Sequence, residues 1–267
     1  MFKLNQVILA LGLSAAAMTS QAAGTLVYCS EGSPEGFDNA QYTSGTTFDA
    51  SGHAMFNRLV GFKKGSTDIE PSLAESWTVS ADGMTYTFKL RKDVKFHTSE
   101  TFKPGRDFNA DDVIFTFTRM TTKDMPFNKA YPAEFPYASD TGIAENIASV
   151  TKIDPLTVVF KLKKPDADML AKVAMPFASI LSDEFAAKLL AEGKASEINQ
   201  QPIGTGPFQL RRYQKDSQIR YAKHKDYWDA KNVLVDNLVF AITTDASVRY
   251  QKMKADECQI MSFPKPQ

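Results

Sequence analysis

The sequence predicts a mixed α/β fold, and three observations predict it: two hairpin patterns in the middle of the chain, strand patterns near both ends, and segments of helical spacing between them. The chain has 267 residues, 43% of them hydrophobic and 23% charged. That composition excludes a disordered tail, a collagen-like repeat and a multi-span membrane protein. Lys+Arg and Asp+Glu are both 31, and no basic run of the kind that binds phosphate backbones occurs, so nucleic acid is not an expected partner.

Taken in order, Met1–Ala22 reads as a secretory leader and not as part of the fold. Lys3 precedes an apolar run from Val7 to Met18, and the small residues Ser20 and Ala22 stand where signal peptidase cuts. The run is shorter than the roughly 20 residues that span a bilayer, and it lacks the polar face that a packed N-terminal helix needs. Cleavage is expected after Ala22. Cys29 follows Tyr28 rather than a small residue, so a lipid anchor is not expected.

Thr25–Ser30 reads as a short buried strand, and Glu31-Gly32-Ser33-Pro34-Glu35-Gly36 as a loop. Thr43-Ser44-Gly45-Thr46-Thr47 leads into a helical stretch in which Ala50, Ala54 and Leu59 can share a face. Residues 77–91 form the clearest hairpin: Trp77 and Val79, a turn at Asp82-Gly83, then Tyr86, Phe88 and Leu90 alternating with Thr85, Thr87 and Lys89. Asn109 is placed to cap a helix whose first turn carries Asp111 and Asp112 and whose apolar face carries Val113, Phe117 and Met120. A second hairpin is expected around Asp154-Pro155, with Val158, Phe160 and Leu162 alternating after it.

Helices follow, one capped by Asp166 or Asp168 and running through Ala174, another capped by Ser182 and stopped at Gly193. The chain then returns to strands at 208–210, 219–221 and 238–242, before a helix at about 245–254. There is no internal repeat and no Gly/Ser-rich linker, which fits one compact unit or two interleaved ones.

Two cysteines remain, Cys29 and Cys258. In an exported chain an even count is the pattern that bridges produce, so one disulfide is expected, two free buried thiols being the alternative.

Catalytic signatures are absent from the sequence. There is no Gly-x-Ser-x-Gly elbow, no His-Glu-x-x-His pair and no Gly-x-x-x-x-Gly-Lys loop. Gly204-Thr205-Gly206 is a fragment of a dinucleotide fingerprint, but Pro207 stands where a helix would open, and the segment reads as a turn. His53, His97 and His224 are far apart in sequence and lack metal-ligand spacing, so they are expected to be satisfied or exposed. Asp111 and Asp112 are adjacent on a helix and do not face one another, which makes them structural rather than an acid/base pair. No catalytic residue and no metal ligand is assigned, and an exported enzyme remains only as an alternative, beside a stand-alone structural or chaperone-like module.

Several stretches together resemble the peptide/nickel family of ABC-transporter solute-binding proteins, and its dipeptide receptors in particular. They are Leu26 to Phe37, Thr43-Ser44-Gly45-Thr46-Thr47, Pro71 to Trp77, Tyr86 to Arg91, Asn109 to Val113, Pro202 to Leu210, Asp245 to Tyr250 and Glu257-Cys258-Gln259. The resemblance implies a periplasmic-binding-protein-like fold of type II, a two-lobed receptor that closes on its ligand by hinge motion. It implies a disulfide between Cys29 and Cys258, and a first lobe made of a main subdomain (23–66 and 190–267) and an inserted subdomain (67–189).

By the same resemblance, Thr43, Ser44, Gly45 and Thr46 are ligand-binding residues, touching a peptide backbone through hydroxyl and main-chain groups. The implied partners are a dipeptide or small peptide and the membrane permease of an importer. The chain would act as a periplasmic monomer without a cofactor, and haem, a longer peptide or a metal chelate are the alternative cargoes. Relatives are longer, so the second lobe is expected to be absent here. Without its Arg and Asp, the charged ends of a desolvated dipeptide go unpaired at a cost of several kcal/mol, and this chain alone is expected to bind weakly or not at all.

Overall fold

The computed structural model describes residues 24–262; the leader assigned to Met1–Ala22 lies outside the described residues. The strands are Thr25–Ser30 (β1), Val60–Phe62 (β2), Ile69–Pro71 (β3), Ala74–Val79 (β4), Thr85–Leu90 (β5), Ile147–Asp154 (β6), Thr157–Leu162 (β7), Phe208–Gln214 (β8), Gln218–Lys223 (β9), Asn237–Ile242 (β10) and Ile260–Met261 (β11). A mixed sheet has the order β11-β1-β10-β9-β8. In it β1 is parallel to both β10 and β11, and β9 is antiparallel to β10 and β8. Parallel pairing needs a crossover rather than a tight turn, and here the rest of the fold lies between β1 and its partners.

The antiparallel sheet β4-β5-β7-β6 contains both predicted hairpins. Gly83 closes the first at φ +69°, a left-handed conformation that glycine adopts without steric cost. Tyr86, Phe88 and Leu90 are buried, as their alternation predicts. Trp77 and Val79 pair with Phe88 and Tyr86, yet Val79 is 44% exposed. The reason is position: β4 is an edge strand with no neighbour on its other side.

The helix Ala110–Thr121 begins with a capping box. Asn109 Oδ1 accepts from the Asp111 amide at 2.8 Å, and Asp112 Oδ2 accepts from the Asn109 amide at 2.9 Å. Asp112 is fully buried and also takes both arms of Arg106, at 2.7 and 3.0 Å, and the Asp183 amide at 2.9 Å. It thereby clasps the start of this helix to the start of helix Asp183–Ala191. Asp111 pairs with Lys152 at 2.6 Å on the surface, so the two acids are engaged separately. Ser182 caps the second helix by accepting from the Phe185 amide at 3.2 Å.

The helix Met169–Ala174 departs from expectation: its N-cap residue, Asp168, makes no side-chain cap bond. Asp166 instead accepts from the Asp168 amide at 3.0 Å and from Lys172 at 2.6 Å. The predicted helix after Thr43 is also shorter than its apolar spacing suggested. A single turn, Gly45–Thr47, runs into a π-helical turn, Phe48–His53. Ala50 and Ala54 are buried from it, whereas Leu59 is buried from the segment leading into β2.

Cys29 and Cys258 form a disulfide with a Cα–Cα separation of 5.8 Å. It ties β1 to the segment between helix Ala246–Lys254 and β11. Among the described residues, no helix is long and apolar enough to cross a membrane.

Candidate functional site

The loop that follows β1 is held at its base and open at its tip. Asn199 Oδ1 accepts from the Phe37 and Asp38 amides at 2.9 and 3.0 Å, and Asn199 Nδ2 donates to the Tyr42 hydroxyl at 2.5 Å. Ser33 and Asp216 are bonded twice, at 2.8 Å each way. Thr47 is buried and is the hub of the hydroxyls: its Oγ1 accepts from the Glu35 amide and from Ser44 Oγ, both at 3.0 Å.

Of the four residues predicted to touch ligand, Thr43 and Gly45 are exposed and Ser44 and Thr46 are half-buried. Thr46 Oγ1 reaches Ser44 Oγ only at 3.5 Å. A side chain added at Gly45 would meet nothing within 4 Å. The four stand together on one tip, with Thr47 and Asn199 as their fixed support. Sequence reasoning missed both supports: Thr47 looks like one more hydroxyl of the loop, and Asn199 carries no local signal at all.

The π-helical turn that follows this tip and the mixed sheet enclose an open groove of about 400 Å³, lined mainly by apolar side chains such as Phe208, Leu238 and Phe240. Its polar corner is Tyr28, whose hydroxyl donates to Asp49 at 3.0 Å and lies 2.7 Å from Ser262 Oγ. Burial pushes the Tyr28 phenol up, and the nearby Asp49 carboxylate adds to the shift. His53 also lines the groove, and its imidazole is pushed down by burial and by the Arg58 cation. A hydroxyl-bearing tip can bond to a polar backbone, and an apolar groove can cover apolar side chains.

Sequence reading left two other histidines isolated, and the fold brings them together. The rings of His97 and His224 meet edge to face at 4.8 Å. Both donate to the Gly206 carbonyl, His97 Nε2 at 2.9 Å and His224 Nδ1 at 3.3 Å. His97 Nδ1 accepts from the Gly204 amide at 3.3 Å, which fixes a neutral tautomer. Burial, with a smaller contribution from the neighbouring His224, holds the His97 imidazole down at about 3.

The segment that reads as a turn in sequence is therefore a buried crossing. Gly206 N donates to Met55 O at 2.9 Å and Phe208 N to Ala54 O at 3.0 Å. A Cβ at Gly204 would lie 2.0 Å from Met55 O, and one at Gly206 would lie 2.4 Å from the Met55 carbonyl carbon. Among the described residues, no group of three or more His, Cys, Asp or Glu gathers as a metal site.

Comparison with known proteins places this geometry in a family. The model for bacterial extracellular solute-binding proteins, family 5 Middle, matches residues 68–267. Di/tripeptide-binding protein 1 of Pseudomonas aeruginosa (strain UCBPP-PA14) is 60% identical over 96% of this chain and 48% of its own length. Heme-binding protein A of Haemophilus influenzae is 45% identical over 92% of this chain and 45% of its own. The crystal structure of a dipeptide-binding protein from Pseudoalteromonas sp. SM9913 in complex with Met-Leu superposes with a TM-score of 0.87, at 36% identity, over 90% of this chain and 47% of that one. The chain spans about half the length of the curated relatives it matches.

Proposed function

The chain belongs to the family 5 bacterial extracellular solute-binding proteins, and from that membership we propose that it is part of a periplasmic receptor that delivers dipeptides to the permease of an ABC importer. The observation that carries the reading is the tip at Thr43, Ser44, Gly45 and Thr46: an anchored base, an exposed Thr43 hydroxyl, and open space at Gly45. Such a tip reads a peptide backbone and ignores its side chains, as a receptor of broad specificity requires. It carries no charge, so the ammonium and carboxylate of a dipeptide need charged partners outside this tip. The receptor acts as a monomer and needs no cofactor. Its first lobe divides into 23–66 plus 190–267, around the mixed sheet, and 67–189, around the antiparallel sheet. The first boundary falls in the turn between β2 and β3, where Lys63 N donates to Asp68 O at 2.9 Å.

The test is calorimetric titration of the complete mature protein with Met-Leu and other dipeptides, beside a haem titration read at the Soret band. Dipeptide binding is expected. Ser44→Ala and Thr46→Val are each expected to weaken it about fivefold, the worth of one hydrogen bond, with melting unchanged for Thr46→Val and slightly lowered for Ser44→Ala, which also loses the bond to Thr47. A Soret shift without dipeptide binding would overturn the cargo in favour of haem, which the likeness to Heme-binding protein A makes the second reading.

A further inference from the structure

The hairpin formed by β8 and β9 carries an unbalanced charge. Between Phe208 and Lys223 the cations are Arg211, Arg212, Lys215, Arg220 and Lys223, and the acid is Asp216, whereas the whole chain balances 31 against 31. Lys223 is engaged, donating to the Val233 carbonyl at 2.6 Å, and Asp216 is held by Ser33. Arg211, Arg212, Lys215 and Arg220 are exposed, and none of the four is in an ion pair among the described residues.

The strand register brings these charges together. Arg212 stands directly opposite Arg220, and a register shift between Leu210 and Arg212 leaves Arg211 as the extra residue beside them. Like charges directly opposite one another destabilise a sheet. On its other side Arg220 is paired with Val239 of β10, so neither cross-strand partner supplies a counter-charge. Arg220 Nε donates to Gln218 Oε1 at 2.9 Å, a neutral acceptor that leaves the charge uncompensated. Charge on an edge strand deters unwanted pairing, which accounts for Arg212 on β8. It does not account for Arg220, because β9 lies between β8 and β10.

The place of the hairpin in the fold supplies the reason. β1 and β10 are parallel, so their C-terminal ends share one edge of the sheet. The turn of the hairpin joins that edge: Ile242 N donates to Ser217 O at 2.9 Å, and Asp216 is bonded to Ser33 of the loop after β1. The loop that carries Thr43–Thr46 leaves from the same edge. Arg212 and Arg220 are each three residues from the turn at 215–217, roughly 10 Å along the strands. A receptor hands its ligand on from the edge that holds it, so a permease has to meet this edge and the surface that flanks it.

We propose that the basic face of this hairpin, formed by Arg211, Arg212, Lys215 and Arg220, is a docking surface for an acidic segment on the periplasmic side of the permease. Guanidinium forks recognise carboxylates, and carboxylates placed there relieve the repulsion between Arg212 and Arg220. The inference rests on the receptor reading and adds to it which face of the lobe meets the importer.

The experiment measures ATP-driven Met-Leu uptake by neutral phosphatidylcholine liposomes that hold the cognate permease, against the concentration of the complete mature receptor loaded with Met-Leu. Arg212→Glu/Arg220→Glu is expected to raise the half-maximal receptor concentration at least about tenfold, and Arg212→Gln/Arg220→Gln by less. Raising salt from about 50 to about 300 mM is expected to weaken docking of the wild type and to change that of the Glu pair little. Calorimetric Met-Leu binding is expected to stay within about twofold, since neither arginine belongs to the tip. Arg212→Glu alone sets opposite charges face to face, so it should melt slightly higher than the wild type and still dock worse, which separates docking from a folding defect. Unchanged uptake with both arginines replaced, or equal weakening by the exposed control pair Lys64→Glu/Lys123→Glu, would overturn the proposal. So would arginine-dependent binding to phosphatidylglycerol liposomes that hold no permease, which would assign the face to lipid. A wild-type protein that binds no Met-Leu in the calorimeter would sink the receptor reading itself, and this inference with it.

Discussion

Two segments of this chain are written in nearly the same residues and are used in opposite ways. Thr43-Ser44-Gly45-Thr46 is exposed or half-buried, with room for a side chain at Gly45 and nothing bonded to the Thr43 hydroxyl among the described residues. Gly204-Thr205-Gly206 is buried throughout. Its glycines lie against the Met55 backbone, and the Thr205 hydroxyl donates to Asn57 Oδ1 at 3.1 Å. Composition made both segments loops; only the chain packed against each decides which is a fixed joint and which is a surface free to bind. One crossing holds Met55, His97 and His224 together, while the other segment leaves Thr43 and Gly45 exposed.

The largest test of this contrast is an alanine at each glycine. Gly204→Ala drives a methyl into backbone that has no alternative rotamer, and the expected loss is about 3 kcal/mol or more, at the upper end of overpacking costs. Gly45→Ala is expected to change stability by no more than about 0.5 kcal/mol, as for a surface substitution. Urea denaturation of the two variants gives both numbers, and equal losses would dissolve the distinction.

The pH dependence of stability is the next test. The unfolded His97 imidazole titrates at about 6.5, whereas the folded one is held at about 3. Between those values the unfolded chain carries the extra proton, so the stabilisation is complete above about pH 6.5 and is lost as pH falls, by about 1.4 kcal/mol per unit. From pH 6 to 4 the loss from this group is about 2.5 kcal/mol. Carboxylates also titrate in this window, so the measurement compares the wild type with His97→Gln. A shallower slope in the variant is expected, and parallel slopes would remove His97 from the joint's acid sensitivity.

The same contrast explains what could be read from the sequence. The hairpins at Gly83 and Asp154-Pro155 and the caps at Asn109 and Ser182 were legible because each signal is contained within a few residues. The Cys29–Cys258 bridge was legible from the cysteine count of an exported chain. The crossing was not, because Gly204 is required by Met55 and Phe56, residues remote in sequence that packing brings to it. The helix after Thr47 was misjudged in length because π winding alters the spacing that the apolar residues follow. Thr43, Ser44, Gly45 and Thr46 were located as a loop, but the supports that hold them, Thr47 and Asn199, become visible only once Glu35, Phe37, Asp38 and Tyr42 are placed against them.

The smallest expected effect separates the two segments by their hydroxyls alone. Thr205→Val keeps the shape of a fully buried side chain and removes one of the two donors to Asn57 Oδ1; the other, Trp228 Nε1 at 3.1 Å, remains. The acceptor is not orphaned, so the cost is that of one net hydrogen bond, about 1 kcal/mol. Thr43→Val removes a hydroxyl that solvent already reaches, and its effect on stability should lie within about 0.5 kcal/mol. The two substitutions are chemically identical, and any difference between them in urea unfolding comes from what each threonine touches. If Thr205→Val costs no more than Thr43→Val, the crossing is held by its glycines and its shared carbonyl at Gly206 rather than by the side chain between them.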